Sequence, residues 1–417
     1  MALDTSLMNQ VAAIAEDVGT RGDAALVDYA RRFDNCVLEL SDLRVDEKVL
    51  REAAARVDSR VLAALREAIK RVRAFHEYER EYSWVAEGPN GVSLGQRVIP
   101  IERVGVYVPG GAASYPSSVV MTIVPAQVAG VDRIVVTTPP KALQQNPAVA
   151  AALVELNVTE AYAIGGAQAI AALAYGTESV PRVAKIIGPG NRYVTAAKKL
   201  VYGVVGIDSL AGPSEVVVLA DETARASFIA SDLLAQAEHS EDASSVLITT
   251  SQELALEVLN ELATQMCELP RVAVIEKSLT NYGVIIVTEN VEEACALVNE
   301  LAPEHLEIMA RDEESIASRI RNAGAIFFGD QTPEAVGDYL AGPNHVLPTS
   351  GAARFSSALS VRDFVKRTNT VRFTASELMR AAPMIAALAR SEGLEAHARS
   401  ALIRQKGTAA ADSVSVF

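Results

Sequence analysis

The spacing of apolar and polar positions divides the chain into stretches of different rhythm. Residues 1 to about 85 repeat apolar side chains at helical spacing among charges, most clearly in LREAIKRVRAFHEYEREY, and predict amphipathic helices. From about residue 100 the rhythm changes. VGVYV, DRIVVTT, EAYAIGG and AKIIGPG are short β-rich runs, separated by the helical runs VVMTIVPAQVAGV, NPAVAAALVELNV and AQAIAALAYG. The alternation then restarts. EVVVLA, SVLITT, VAVIE, YGVIIVT, HLEIMA and AIFFG read as strands, with ETARASFIASDLLAQAEHS, QELALEVLNELATQM, VEEACALVNELA and EESIASRIRNAG as helices. A turn-rich stretch, AGPNHVLPTSGAARFSSALS, leads into a tail, residues about 359 to 405, that reads as mostly helical. The small polar residues from Gly407 onward are expected to fray.

Strands alternating with helices across Gly and Pro turns imply βαβ units and parallel sheets. The expected fold is therefore α/β, with two successive incomplete Rossmann-like βαβ domains and helical N- and C-terminal segments. The expected division is an N-terminal segment, 1–20; a first Rossmann-like domain, 101–211; a second, 212–358 with the preceding helices of 21–100; and a C-terminal helical tail, 359–417. Beyond the alternation itself, the two halves carry no sequence repeat.

Composition narrows the partners. The chain has 417 residues and a formal charge of −14, so its surface repels phosphate backbones and nucleic acid is not an expected ligand. The three cysteines, Cys36, Cys267 and Cys295, are widely spaced and form no paired metal pattern. The first residues lack the basic and apolar blocks of a secretory signal, and no apolar run is long enough for a membrane span. A cytoplasmic protein without a membrane contact is expected.

Five polar features carry candidate chemistry. No dinucleotide glycine fingerprint occurs, but GPGN from Gly188 to Asn191, GGAQAIAALAYG from Gly165, and the PGGAASYPSS loop from Pro109 to Ser118 lie between strands and helices. Backbone N–H groups there can hold phosphate, or the glycines can simply make tight turns. In LLAQAEHS, Gln236 and His239 share a helix face, as a surface pair or as metal ligands. APEHLEIM sets Glu304 beside His305, either a capping turn or a base with a water-activating carboxylate. GDYLAGPNHVLPT carries Asp338 and His345, turn former and loop residue or ligands. SEGLEAHARS carries Glu392 and His397, five apart in the helical tail and so a turn and a half from each other. Of five histidines, four fall in these segments, and only His76 lies in an ordinary amphipathic helix. The residues alone point to a metal-assisted or nucleotide-using α/β enzyme.

At these same segments the chain resembles the histidinol dehydrogenase family: VGVYVPGGAASYPSSVVM, IGGAQAIAALAYGTESVP, IIGPGNRYV, AGPSEVVVLAD, LLAQAEHSEDASS, NELAPEHLE, GDYLAGPNHVLPTSGAARFSSALSVRDF and EGLEAHAR. The resemblance covers most of residues 100 to 400, and is loose before them. It implies a homodimer with shared active sites that oxidises L-histidinol through L-histidinal to L-histidine with two NAD, the last step of histidine biosynthesis. By resemblance, zinc is held by Gln236, His239, Asp338 and, from the partner subunit, His397, and it anchors the substrate. Ser214, His305, His345 and Glu392 are implied to contact substrate alongside those ligands, and Tyr107, Gln168 and Asn191 to contact NAD. His305 is implied as general base and Glu304 as the group that activates water for the aldehyde step. Ser240 and Ser209 depart from residues common in the family, at positions with no assigned role. A relative acting on another hydroxyl compound, such as a sulfonated diol, is the nearest alternative; it should lack Glu392 and His397. A zinc hydrolase would need no NAD, and a non-catalytic binding protein would need no base.

Overall fold

The computed structural model describes residues 4–110 and 115–411. Residues 111–114, the middle of the PGGAASYPSS loop, and 412–417 lie outside the described residues. The chain forms two compact units: residues 1–80 with 101–364, and residues 81–100 with 365–417.

The first unit contains two five-stranded sheets, each wholly parallel. In the first, the strands lie in the order Glu160–Ala163, Arg133–Thr138, Arg103–Tyr107, Lys185–Ile187, Gly206–Ile207. In the second, the order is Gly283–Val287, Ser244–Thr249, Glu215–Ala220, His305–Met309, Ala325–Phe328. Both sheets therefore start at a central strand, grow outward to one side, then return to the other side of that strand. The shared topology repeats where the sequence does not.

Helices cover both faces of each sheet, so the central strands read as continuous apolar runs. On one face of the first sheet, Leu7, Val11, Ile14 and Val18 of the helix Thr5–Arg21 pack with Ile170, Leu173 and Ile186. Asp4 starts that helix by accepting the Leu7 N–H at 2.7 Å. On the other face, Leu65 and Val72 of Ser59–Glu77 pack with Val119, Ile123 and Val149. In the second sheet, Val216, Val218 and Leu247 face Ile229, Leu233 and Val258, while Val217, Ile248 and Leu306 face Cys295, Val298 and Ile316.

The second unit is a three-stranded antiparallel sheet with two helices. Ser93–Pro100 pairs with Trp84–Glu87 on one side and with Val365–Arg372 on the other. The helices Ala375–Ser391 and Glu395–Ala411 pack through Ala386, Ala389, Ala398 and Leu402.

Three sequence expectations are corrected here. VAVIE opens the helix Val272–Tyr282 instead of forming a strand. A five-residue run rich in β-branched side chains does not distinguish the two, and the following KSLTNY continues the helix. Trp84–Glu87, Ser93–Pro100 and Val365–Arg372 form strands within stretches expected to be helical, a ribbon whose side chains are mostly exposed or half-buried. The tail helix is interrupted: Glu392 ends one helix, Gly393 takes a φ of 77°, and Glu395 opens the next.

Candidate active site

Several buried polar side chains converge where the strands Glu215–Ala220 and His305–Met309 begin, at the reversal point of the second sheet. The helix Ala226–Ala237 follows the first of these strands and runs back to its starting edge, bringing Gln236 in its last turn and His239 just beyond. The helix Val291–Leu301 ends at Ala302, whose φ of 51° is left-handed, and Pro303 prevents its continuation. Glu304 and His305 are thereby delivered at the start of a strand. The short helix Glu334–Tyr339 adds Glu334 and Asp338, one turn apart on one face.

The contacts are specific. Asp338 Oδ1 lies 3.3 Å from His345 Nδ1. Ligand atoms of His239, Glu334 and Asp338 lie within 4.8 Å of one another. The Gln236 amide meets its surroundings in one orientation, its nitrogen donating to both Glu334 oxygens at 3.0 and 3.1 Å. Its carbonyl oxygen then faces away from Glu334. His305 Nδ1 lies 3.2 Å from the Glu215 carbonyl, which can only accept, so Nδ1 carries the proton and Nε2 the free lone pair. Glu304 Oε2 accepts the Glu215 N–H at 3.0 Å, and the Ser214 hydroxyl also bonds its carboxyl.

Burial sets the electrostatics. It pushes His305 down to about 4, so the imidazole is neutral and free to take a proton. Burial, with Glu215 and Asp338 nearby, raises Glu304 well above the usual carboxylate range. Burial and the neighbouring carboxyls of Asp338, Glu304, Glu307 and Asp232 raise Glu334 likewise. Asp338 differs: burial would raise it, but the His345 hydrogen bond and the surrounding histidines hold it below its ordinary value. His239 is lowered by burial and stays neutral, the form that ligates metal.

A divalent cation fits this donor set. His239 offers an imidazole nitrogen, Asp338 an ionised carboxylate and Gln236 a carbonyl oxygen, amid acidic groups that cannot all ionise without a counter-charge. Glu334 belongs to the same group, and its oxygens also meet the Gln236 amide, so it can orient that side chain.

The other expected residues line the carboxyl edge of the first sheet, where open α/β sheets bind ligands. Tyr107 ends its strand; its hydroxyl accepts the Gly166 N–H at 3.2 Å, and burial raises it to about 12. Gln168 is buried in the first turn of Gly166–Tyr175. Asn191 caps Arg192–Val201, accepting the N–H groups of Tyr193 and Val194 at 3.0 and 3.2 Å. The GPGN turn before it needs glycine: at Gly188, φ is 115° and a Cβ would lie 2.2 Å from the Tyr107 carbonyl oxygen.

The first unit thus brings together Ser214, Gln236, His239, Glu304, His305, Asp338 and His345. Glu392 and His397 belong to the second unit, where both are exposed. Sequence reasoning missed Glu334, which the DQTPEAVGDYL pattern offered one turn before Asp338. It also passed over Asp232, one turn before Gln236, and Glu307, whose side chain points inward from the His305 strand. His76 is not an ordinary helix-face residue: it is fully buried, 2.6 Å from Glu79 Oε2 and 3.3 Å from Asn344 Nδ2, beside His345.

The family model described as histidinol dehydrogenase matches residues 2–405. The chain belongs to the histidinol dehydrogenase family. Similar curated proteins include a histidinol dehydrogenase of Geobacillus kaustophilus (strain HTA426), 53% identical over 396 residues, 94% of this chain and 93% of that one. Another, from Synechococcus sp. (strain ATCC 27144 / PCC 6301 / SAUG 1402/1), is 51% identical over 394 residues, 94% of this chain and 91% of that one. The crystal structure of histidinol dehydrogenase from Elizabethkingia anophelis aligns with a TM-score of 0.92 at 37% identity, over 96% of this chain and 93% of that chain. The α/β fold with two Rossmann-like halves and helical ends agrees with that likeness. No helix among the described residues is long and apolar enough to cross a membrane.

Proposed function

We propose that the chain is an NAD-dependent, zinc-containing oxidoreductase that converts L-histidinol through L-histidinal to L-histidine, the last step of histidine biosynthesis. The observation that carries the reading is the placement of a neutral base, His305, and an acid–base carboxyl, Glu304, beside the cation-sized group of His239, Glu334 and Asp338, with the Gln236 amide against Glu334.

Gln236, His239 and Asp338 would hold zinc, which would supply a Lewis-acidic anchor for the substrate, and Tyr107, Gln168 and Asn191 would hold NAD, which would supply the hydride acceptor for both oxidations. The protein's own groups manage the protons. In the first oxidation His305 Nε2 takes the hydroxyl proton, with Nδ1–H held on the Glu215 carbonyl so that the ring keeps its tautomer. In the second, Glu304 in its ionised form accepts a proton from water adding to the aldehyde carbon. Ser214 and His345 bind substrate beside these groups. Burial of both Glu304 and His305 keeps bulk water from the aldehyde.

Glu392 and His397 are proposed to act across a homodimer, with the partner subunit's His397 completing the zinc shell and the partner subunit's Glu392 reading the substrate. Exposed apolar side chains on the second unit, among them Met384 at 63%, Leu388 at 68% and Ile403 at 65%, support a covering subunit. The proposed division keeps residues 101–211 as the NAD side, 21–100 with 212–358 as the zinc and substrate side, 1–20 as an N-terminal segment and 359–417 as the crossing tail. Stripping metal with a chelator should abolish histidinol oxidation, and zinc should restore it. Full activity in metal-free protein would refute the zinc assignment.

A further inference from the structure

Beneath the proposed site lies a pair of carboxyls to which the reaction assigns no part. Asp232 sits one helical turn before Gln236 on Ala226–Ala237, and Glu307 sits two residues after His305 on its strand. Both are buried, at 8% and 1% exposure, and the two carboxyls lie close enough to act on each other. Glu307 Oε1 accepts the Glu334 N–H at 2.7 Å, the first N–H of the helix that carries Glu334 and Asp338. Its Oε2 meets no N–H or O–H donor among the described residues. Two neighbouring buried carboxylates repel one another, which favours one proton held between the pair.

We propose that Asp232 and Glu307 are positioning residues, a proton-sharing clamp that fixes the Gln236 helix, the His305 strand and the Asp338 helix to one another. The inference rests on the proposed zinc site. The chain of contacts is continuous: Asp232 to Glu307, Glu307 to the Glu334 backbone, and the Glu334 carboxyl to the Gln236 amide, whose carbonyl oxygen is thereby aimed. Groups that hold ligands in place typically change metal affinity by roughly 10–100-fold when removed. An apolar pair of similar volume would fill the same space, but it would leave the Glu334 N–H buried without an acceptor.

The test compares Glu307→Leu with Glu307→Gln. Zinc affinity is measured by competition with a chromophoric chelator, and kcat and KM for histidinol by NADH formation. Leucine should weaken zinc binding roughly 10–100-fold and raise KM more than it lowers kcat. The amide keeps an acceptor for the Glu334 N–H and supplies the hydrogen toward Asp232, so it should recover most of that loss. If Glu307→Leu does not fold, Asp232→Ala carries the same comparison, with Asp232→Asn as its rescue. Zinc affinity within about threefold of wild type in the apolar variants, or no recovery in the amide variants, would overturn the clamp. A wild-type protein that takes up no zinc would instead overturn the metal site on which the clamp depends.

Discussion

Replacing Glu304 by glutamine separates the two oxidations. The wild-type carboxyl accepts the Glu215 N–H at 3.0 Å through Oε2, a role that an amide oxygen of the same reach can keep. The variant should therefore fold and hold its pocket, losing only the group that takes a proton from water. A positioned base contributes about 10²–10⁴-fold, so oxidation of added L-histidinal should slow by that factor, or ~3–5 kcal/mol at about 1.4 kcal/mol per decade. Oxidation of the alcohol, assigned to His305, should slow far less. The pH dependence gives a second readout. Burial raises Glu304 well above the usual carboxylate range, so its ionised fraction, and with it the aldehyde step, should increase as pH rises beyond that range. Glu304→Gln should lose that rise. Single-turnover NADH formation from histidinol and from histidinal, across a pH series, measures both. Equal slowing of the two steps, or an unchanged pH profile in the variant, would refute the assignment.

Three further outcomes are expected. His305→Ala should retain zinc, because no metal ligand is touched, yet lose turnover by about 10²–10⁴-fold; metal analysis beside steady-state rates tests this, and wild-type turnover removes His305 from the mechanism. His397→Ala should bind zinc weakly, and mixing it with inactive His305→Ala should restore shared sites in hybrid dimers; no recovery argues against ligation across subunits. Glu307 is raised to about 9, by burial and by Asp232, so the stability it contributes is complete below the ordinary carboxylate range and is lost as pH rises through 9. Metal-free protein should therefore melt at falling temperature toward alkaline pH, less steeply in Glu307→Gln, and equal slopes would contradict that origin.

The sequence made the sheets legible because buried parallel strands are short apolar runs, and EVVVLA and RIVVTT have no other reading between turns. It did not expose the second unit's strands, since Val365–Arg372, as VKRTNTVR, is polar and mostly exposed. Nor did it place residues 81–100 with the C-terminus, a pairing made through long-range register alone. The histidines stood out because the chain has only five, whereas Gln236 and Asp338 entered the donor set through the family resemblance. Glu334, Glu307 and Asp232 did not stand out, because a glutamate at a helix start or an inward strand position reads as solvated polarity until burial is known. His76 failed for the opposite reason: its helix is amphipathic, and only the fold shows that its ring faces Glu79 and Asn344.

NADH released per L-histidinol consumed, in zinc-loaded protein with excess NAD, tests the central claim most directly. Two NADH should form for each histidinol, with L-histidine as the product and no free aldehyde accumulating. One NADH with histidinal released, or none at all, would contradict that claim.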